Sequence, residues 1–126
     1  MKKIISTSKA PAAIGPYSQA NLINGTLYIS GQIPFNNETE TVEEGIEKAT
    51  HQVMKNLQFI LTEAGMTFSN VVKASIFLKN MDDFAAMNAV YSSYLDPENY
   101  PARETVQVSC LPRNVEIEIS MIAHQF

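Results

Sequence analysis

Apolar and polar residues change their period along the chain, and the changes mark its elements. In "ANLINGTLYIS" (20–30) two apolar-rich runs flank Asn24-Gly25, a pair that tolerates the positive φ angles of a two-residue turn, so the stretch predicts a β-hairpin. Thr41 followed by Glu44 fits a capping box, and Val42, Ile46, Ala49, Val53, Leu57, Ile60 and Ala64 then recur at helical spacing until Gly65. This predicts a long amphipathic helix over about 41–64. "NVVKASIFLKN" (70–80) alternates as a strand, with Val72, Ala74, Ile76 and Leu78 on one face and Lys73, Ser75 and Phe77 on the other. Asp82 fits the cap of a second helix, about 83–95, that stops before Pro97. "RETVQVSC" and "NVEIEISMIAH" alternate on either side of Leu111-Pro112-Arg113-Asn114, which predicts a closing hairpin, and a short strand is expected near Ile4.

Two helices suffice to cover one face of such a sheet. The rows Leu27/Ile29, Val72/Ile76, Val106/Val108 and Ile117/Ile119 are expected beneath them. The other face is expected to carry Tyr28, Ser30, Gln32, Ser75, Phe77, Thr105, Gln107, Glu118 and Ser120, a mixture that fits either a solvated face or one closed by further copies of the chain. Gly31 inside a strand fits a bulge, a close backbone approach or a simple packing gap.

Composition narrows the function classes. One domain spanning 1–126 is expected from the length, and Lys+Arg 9 against Asp+Glu 13, with no basic cluster, argues against a nucleic-acid partner. The single Cys110 has no internal partner, and the opening "MKKIISTSKAPAAIG" lacks a signal-peptide core, so a cytoplasmic protein is expected. No apolar run has the length of a membrane span. Cys110, His51 and His124 lack metal-ligand spacing, and both histidines read as surface residues. There is no GxSxG elbow and no Gly-rich phosphate loop.

The remaining chemistry concentrates in the last predicted hairpin. Arg103, Thr105, Gln107 and Ser109 share a face there and are expected to oppose Glu116, Glu118 and Ser120. The chain has only two arginines against seven lysines. Arg103 therefore reads either as a partner in a cross-strand ion pair or as a planar fork for a substrate carboxylate, with Glu118 handling a water. Asn88 follows Phe84 by four and precedes Tyr91 by three, which places an amide on the apolar stripe of the second helix. It is either a satisfied core asparagine or part of a polar cleft.

"APAAIGPYSQA" (10–20), "YISGQIP" (28–34), "VVKASIFLKNMDDF" (71–84), "NAVYSSYL" (88–95), "YPAR" (100–103) and "LPRNVEIEIS" (111–120), in this order, resemble the RidA/YjgF/UK114 family, the reactive-intermediate deaminases. The resemblance implies a chorismate-mutase-like α+β fold, a mixed sheet with two helices packed on one face. It also implies a homotrimer with a central sheet-lined barrel, inter-subunit clefts and no cofactor. The implied reaction is hydrolysis of 2-enamine and 2-imine acids, such as 2-aminoacrylate and 2-aminocrotonate, to 2-keto acids and ammonia. Arg103 matches the family's carboxylate-binding arginine and Glu118 its water-positioning glutamate, while Tyr17, Ser30, Gly31 and Asn88 match residues lining the cleft. Where deaminase members usually read "PARSCVEV", this chain reads "PARETVQV", so Glu104 replaces a serine and Thr105 a cleft cysteine. Because relatives lacking parts of the motif are assigned regulatory or binding roles, a non-catalytic trimer that binds a small carboxylate is the alternative.

Overall fold

The computed structural model describes residues 1–126 as a mixed six-stranded sheet carrying two helices. In chain order the strands are β1 (Lys3–Ile5), β2 (Ala20–Ile23), β3 (Thr26–Gln32), β4 (Phe35–Asn36), β5 (Thr41–Val42), β6 (Val71–Leu78), β7 (Ala102–Gln107) and β8 (Ile117–His124). The helices are α1 (Ile46–Glu63) and α2 (Phe84–Ser93). The large sheet runs β1-β2-β3-β8-β6-β7, and β4 and β5 form a separate two-stranded ribbon. All pairs are antiparallel except β6 with β7.

Local signals account for much of this. Asn24 (φ 50°) and Gly25 (φ 78°) form the tight turn between β2 and β3, as their sequence predicts. α1 lays Val53, Leu57, Ile60 and Leu61 on Leu27, Ile29, Ile76, Ile117, Ile119 and Met121, all within one buried apolar cluster. Each fully buried side chain of this kind contributes about 1.5–3 kcal/mol relative to exposure.

Four expectations are corrected. The capping box does not form: Thr41 and Val42 pair with Asn36 and Phe35 as a strand, and α1 begins only after Gly45. The Gly45 N–H donates instead to Oε1 of Glu116 (2.7 Å), a carboxylate brought from the far end of the chain. Asp82 is likewise no cap, because Asn80 Oδ1 accepts from the Asp82 N–H at a short 3-10 turn that precedes α2. At β6 a bulge between Val71 and Lys73 buries Val71 and turns Val72 outward, 41% exposed.

The largest correction concerns β7. It does not form a hairpin with β8; it pairs in parallel with β6, which lies between them. Neighbours in register share a sheet face, so Arg103 stands with Ala74, Thr105 with Ile76 and Gln107 with Leu78, all on the helix-covered side. Gln107 accepts from the Met81 N–H there (2.7 Å). Val106 stands with Phe77 on the open face, 41% exposed, and Val108 lies beyond the end of the strand. Gln32, expected on the open face, is buried because a bulge at Ser30-Gly31 returns it to the side of Ile29 and Ile119.

Candidate active site

Arg103 is held before any ligand arrives. On α2, Phe84, Asn88 and Tyr91 fall at i, i+4 and i+7, so one stripe of the helix meets the guanidinium at the sheet edge. Nη1 of Arg103 donates to Oδ1 of Asn88 (2.7 Å), and its central carbon stands 5.6 Å from the Phe84 ring centre and 5.1 Å from that of Tyr91. Two ring faces and one amide thus restrain a side chain that would otherwise have many rotamers. No carboxylate pairs with it, since the only ion pair in the chain joins Lys73 to Glu104 (2.9 Å). A cavity of about 580 Å³ opens beside the guanidinium, walled by Asn88, Tyr91, Tyr100 and Pro101 and floored by Ala85 and Ala89. Asn88 therefore does not sit as a satisfied core amide; its carbonyl oxygen is spent on orienting the arginine. Phe84 and Tyr91 had been legible only as members of an apolar stripe.

Glu118 occupies the opposite side of the sheet. It pairs in register with Phe77 of β6 and projects from the open face. Its carboxylate lies across Gly31, where an added β-carbon would come within 2.5 Å of Oε2 and 2.6 Å of Cδ. The bulge sets Ser30 and Gly31 against Ser120 alone, so the backbone swells toward Glu118 and only a residue without a side chain fits. Partial burial raises the Glu118 carboxyl above the usual carboxylate range. Ser30 is fixed by its hydroxyl, which donates to the Ser18 carbonyl (2.6 Å), and by its N–H, which donates to the Gln19 carbonyl (2.9 Å). Tyr17 and Gly31 line a second cavity of about 380 Å³, whose wall includes Arg113 stacked 4.8 Å over the Phe35 ring.

The residues singled out in the sequence therefore fall into two groups. Arg103, Asn88 and Thr105 lie at the β7–α2 edge, while Tyr17, Ser30, Gly31 and Glu118 gather around the β3 bulge. The shared Arg103–Glu118 patch expected from a hairpin does not exist within one chain. Arg103 and Glu118 project from opposite faces, two strand spacings (roughly 10 Å) apart across the sheet and offset three residues (roughly 10 Å) along it. Glu116, expected to face Arg103, is the acceptor at the start of α1.

The two departures in "PARETVQV" also part company. Glu104 points to the open face, where Ser75 donates a hydrogen bond to it and Lys73 pairs with it, and these contacts hold its carboxyl below the usual range. It cannot crowd the Arg103 cavity. Thr105 shares Arg103's face, and its Oγ1 is buried without a partner.

Residues 7–125 match the family profile described as Endoribonuclease L-PSP. A Lactococcus lactis protein provisionally named regulator AldR is 54% identical over 122 residues, covering 96% of each chain. The rat 2-iminobutanoate/2-iminopropanoate deaminase is 46% identical over 126 residues, covering 99% of this chain and 91% of its own. A crystal structure of YyfA from Yersinia pestis, described as a conserved Rid family protein of unknown function, superposes with a TM-score of 0.96 at 46% identity, covering 99% of this chain and 100% of that one. The chain belongs to the RidA/YjgF/UK114 family. Its α+β fold, a mixed sheet with two helices, is the Rid fold. Rid relatives bear both deaminase and regulator names, so the imine-deaminase role belongs to the family while the activity of any one member turns on its site. No helix in this Rid chain is long and apolar enough to cross a membrane.

Proposed function

We propose that this protein hydrolyses 2-enamine and 2-imine acids, such as 2-aminoacrylate and 2-aminocrotonate, to 2-keto acids and ammonia, and that it does so as a homotrimer. The observation that carries the reading is the state of Arg103: oriented by Asn88 and two rings, free of any carboxylate partner, and open to a cavity. A fork prepared in this way suits a planar carboxylate.

The chemistry needs no covalent nucleophile. An enamine acid takes a proton at its β-carbon to become the imine, water adds to the C=N carbon to give a carbinolamine, and collapse to the ketone expels ammonia. Arg103 fixes the carboxylate, which sets the imine carbon in one place. Glu118, with its carboxyl raised by burial, takes a proton from the attacking water and returns it to the departing nitrogen.

One chain cannot present Arg103 and Glu118 to the same small molecule, so the cleft is assembled between copies: the Arg103 edge of one against the Tyr17, Ser30, Gly31 and Glu118 group of the next. The open face supports this assembly, because Tyr28, Val72 and Val106 leave 49%, 41% and 41% of their surfaces exposed on or beside it. The alternative is a non-catalytic trimer that senses a small carboxylate, favoured by Thr105 at the family's cysteine position and by the regulator name of AldR. A coupled assay decides between them: generate 2-aminocrotonate enzymatically and follow 2-keto acid formation with and without the protein. Acceleration supports the deaminase; binding of 2-oxobutanoate without acceleration supports the sensor.

A further inference from the structure

Arg103 is not the only group at the β7–α2 edge without a partner. In the whole chain three buried side-chain polar atoms lack one: Asn21 Oδ1, Tyr91 Oη and Thr105 Oγ1. Two of the three flank Arg103. Tyr91, only 4% exposed, lines the Arg103 cavity with its ring against the guanidinium. Thr105 follows one pleat along the same face of β7. Buried hydroxyls in folded proteins are nearly always bonded, because a dry hydroxyl has given up its water for nothing. Two such groups beside an unpaired arginine mark a place built to receive polar atoms from outside the chain. The Tyr91 phenol is pushed above its ordinary value, mainly by burial and against the pull of Arg103, so at neutral pH it keeps its proton and donates.

We infer that the Tyr91 hydroxyl is a ligand-binding donor that, with the hydroxyl of Thr105, completes a carboxylate cradle around Arg103. This rests on the carboxylate site proposed above and adds to it the groups that set its selectivity. A carboxylate offers about four lone-pair positions, and a bidentate guanidinium occupies two. The two hydroxyls supply donors for the remainder. Tyr91 is held by the packing of α2 and Thr105 by its pairing with Ile76, so neither has to be ordered when the ligand binds. A ligand whose carboxylate is replaced by a neutral amide would turn an NH₂ group toward these donors and leave it unmatched. The cradle therefore selects an ionised acid over its amide, and position 105 tunes that choice because a cysteine there donates more weakly than threonine.

The test removes one oxygen at a time. Tyr91→Phe keeps the ring under Arg103, and Thr105→Val keeps the branched shape against Ile76. Binding of 2-oxobutanoate and of 2-oxobutanamide to wild type, Tyr91→Phe, Thr105→Val and Arg103→Ala is measured by NMR titration, with melting temperatures alongside. The expected result is a roughly tenfold weaker 2-oxobutanoate affinity for Tyr91→Phe, about threefold for Thr105→Val, little change for the amide, and unchanged or raised melting temperatures, since losing an unpaired buried hydroxyl costs the fold nothing. Wild-type affinity in Tyr91→Phe while Arg103→Ala loses binding overturns the cradle and leaves the carboxylate site standing. Wild-type affinity in Arg103→Ala, or no saturable binding by the native protein, overturns both. A lowered melting temperature in Tyr91→Phe with unchanged affinity assigns the hydroxyl to structure and overturns the inference.

Discussion

The carboxylate of Glu118 lies so close over Gly31 that the two residues cannot vary independently: a single added carbon at position 31 would stand 2.5 Å from Oε2. Gly31 is not among the glycines with positive φ, so what it supplies is room. Gly31→Ala should push the carboxylate off its position while leaving the sheet intact. A roughly ten- to hundredfold fall in kcat/KM for 2-aminocrotonate is expected, with an unchanged circular dichroism spectrum. Undiminished turnover would mean that the position of Glu118 is not used in catalysis.

Arg103 tests geometry against charge. Lysine keeps the positive charge but loses the planar fork, the stacking between Phe84 and Tyr91 and the fit to Asn88. Loss of about 1.5–3 kcal/mol of charged hydrogen bonding predicts a roughly ten- to hundredfold drop in kcat/KM for Arg103→Lys, and at least as much for Arg103→Ala. Steady-state kinetics on both variants, after their mass is checked by light scattering, reads this directly.

Much of the fold was legible because the signals were local, and the misreadings share one cause. Asn24-Gly25 names its turn by its own conformational tolerance, and the 3.6-residue period of α1 names its buried face. An alternating strand such as β7 reveals which residues share a face but not which face is inside. That was decided by its partner, and a parallel neighbour 29 residues earlier put Thr105 where Val106 was expected. The Thr41/Glu44 pattern was a sound local cap, outcompeted by the β4–β5 pairing and by Glu116 from 71 residues away. In the site, the helical period brought Phe84, Asn88 and Tyr91 onto one stripe, yet nothing in that stripe disclosed that its partner was Arg103. The division of the site residues between two faces was invisible for the same reason: it follows from the crossover of β7 past β6.

Glu118 gives a pH dependence of defined sign. Burial raises its carboxyl in the folded chain, so its most favourable contribution to folding is present below the unfolded value and is lost as pH rises through the folded one. Glu118→Gln should therefore melt higher than wild type near neutral pH, an advantage that fades as pH falls to about 4. If ionised Glu118 takes the proton from water, wild-type kcat/KM should fall on the acid side at a pH above the ordinary carboxylate range. The same substitution should remove that limb together with at least about a hundredfold of activity.

Assembly is tested at Val106. The residue is 41% exposed on the open face of a single chain, so an aspartate there costs the isolated fold little. Sedimentation of the native protein should give three times the 14.0 kDa chain mass, whereas Val106→Asp should sediment as a folded monomer and lose deaminase activity. A monomeric native protein would remove the shared cleft.

Thr105→Cys restores the family's usual residue without altering the main chain. We expect kcat/KM to change by less than about tenfold, under roughly 1.4 kcal/mol. A step from no measurable turnover to robust turnover would identify the native protein as a carboxylate sensor.

The central place of β8 has a consequence for how the molecule is made. The strand lies between β3 and β6, yet it is synthesised after both, so each waits on the ribosome with an open edge and an uncovered row of Leu27, Ile29, Ala74 and Ile76. Neither half can bury that row alone. Folding is thereby deferred until the last strand slides between the halves, a step with high contact order and correspondingly slow closure. A nascent chain stalled before Ile117 would be sticky rather than partly native, and a nonsense codon there should yield aggregate in place of a shortened, soluble product.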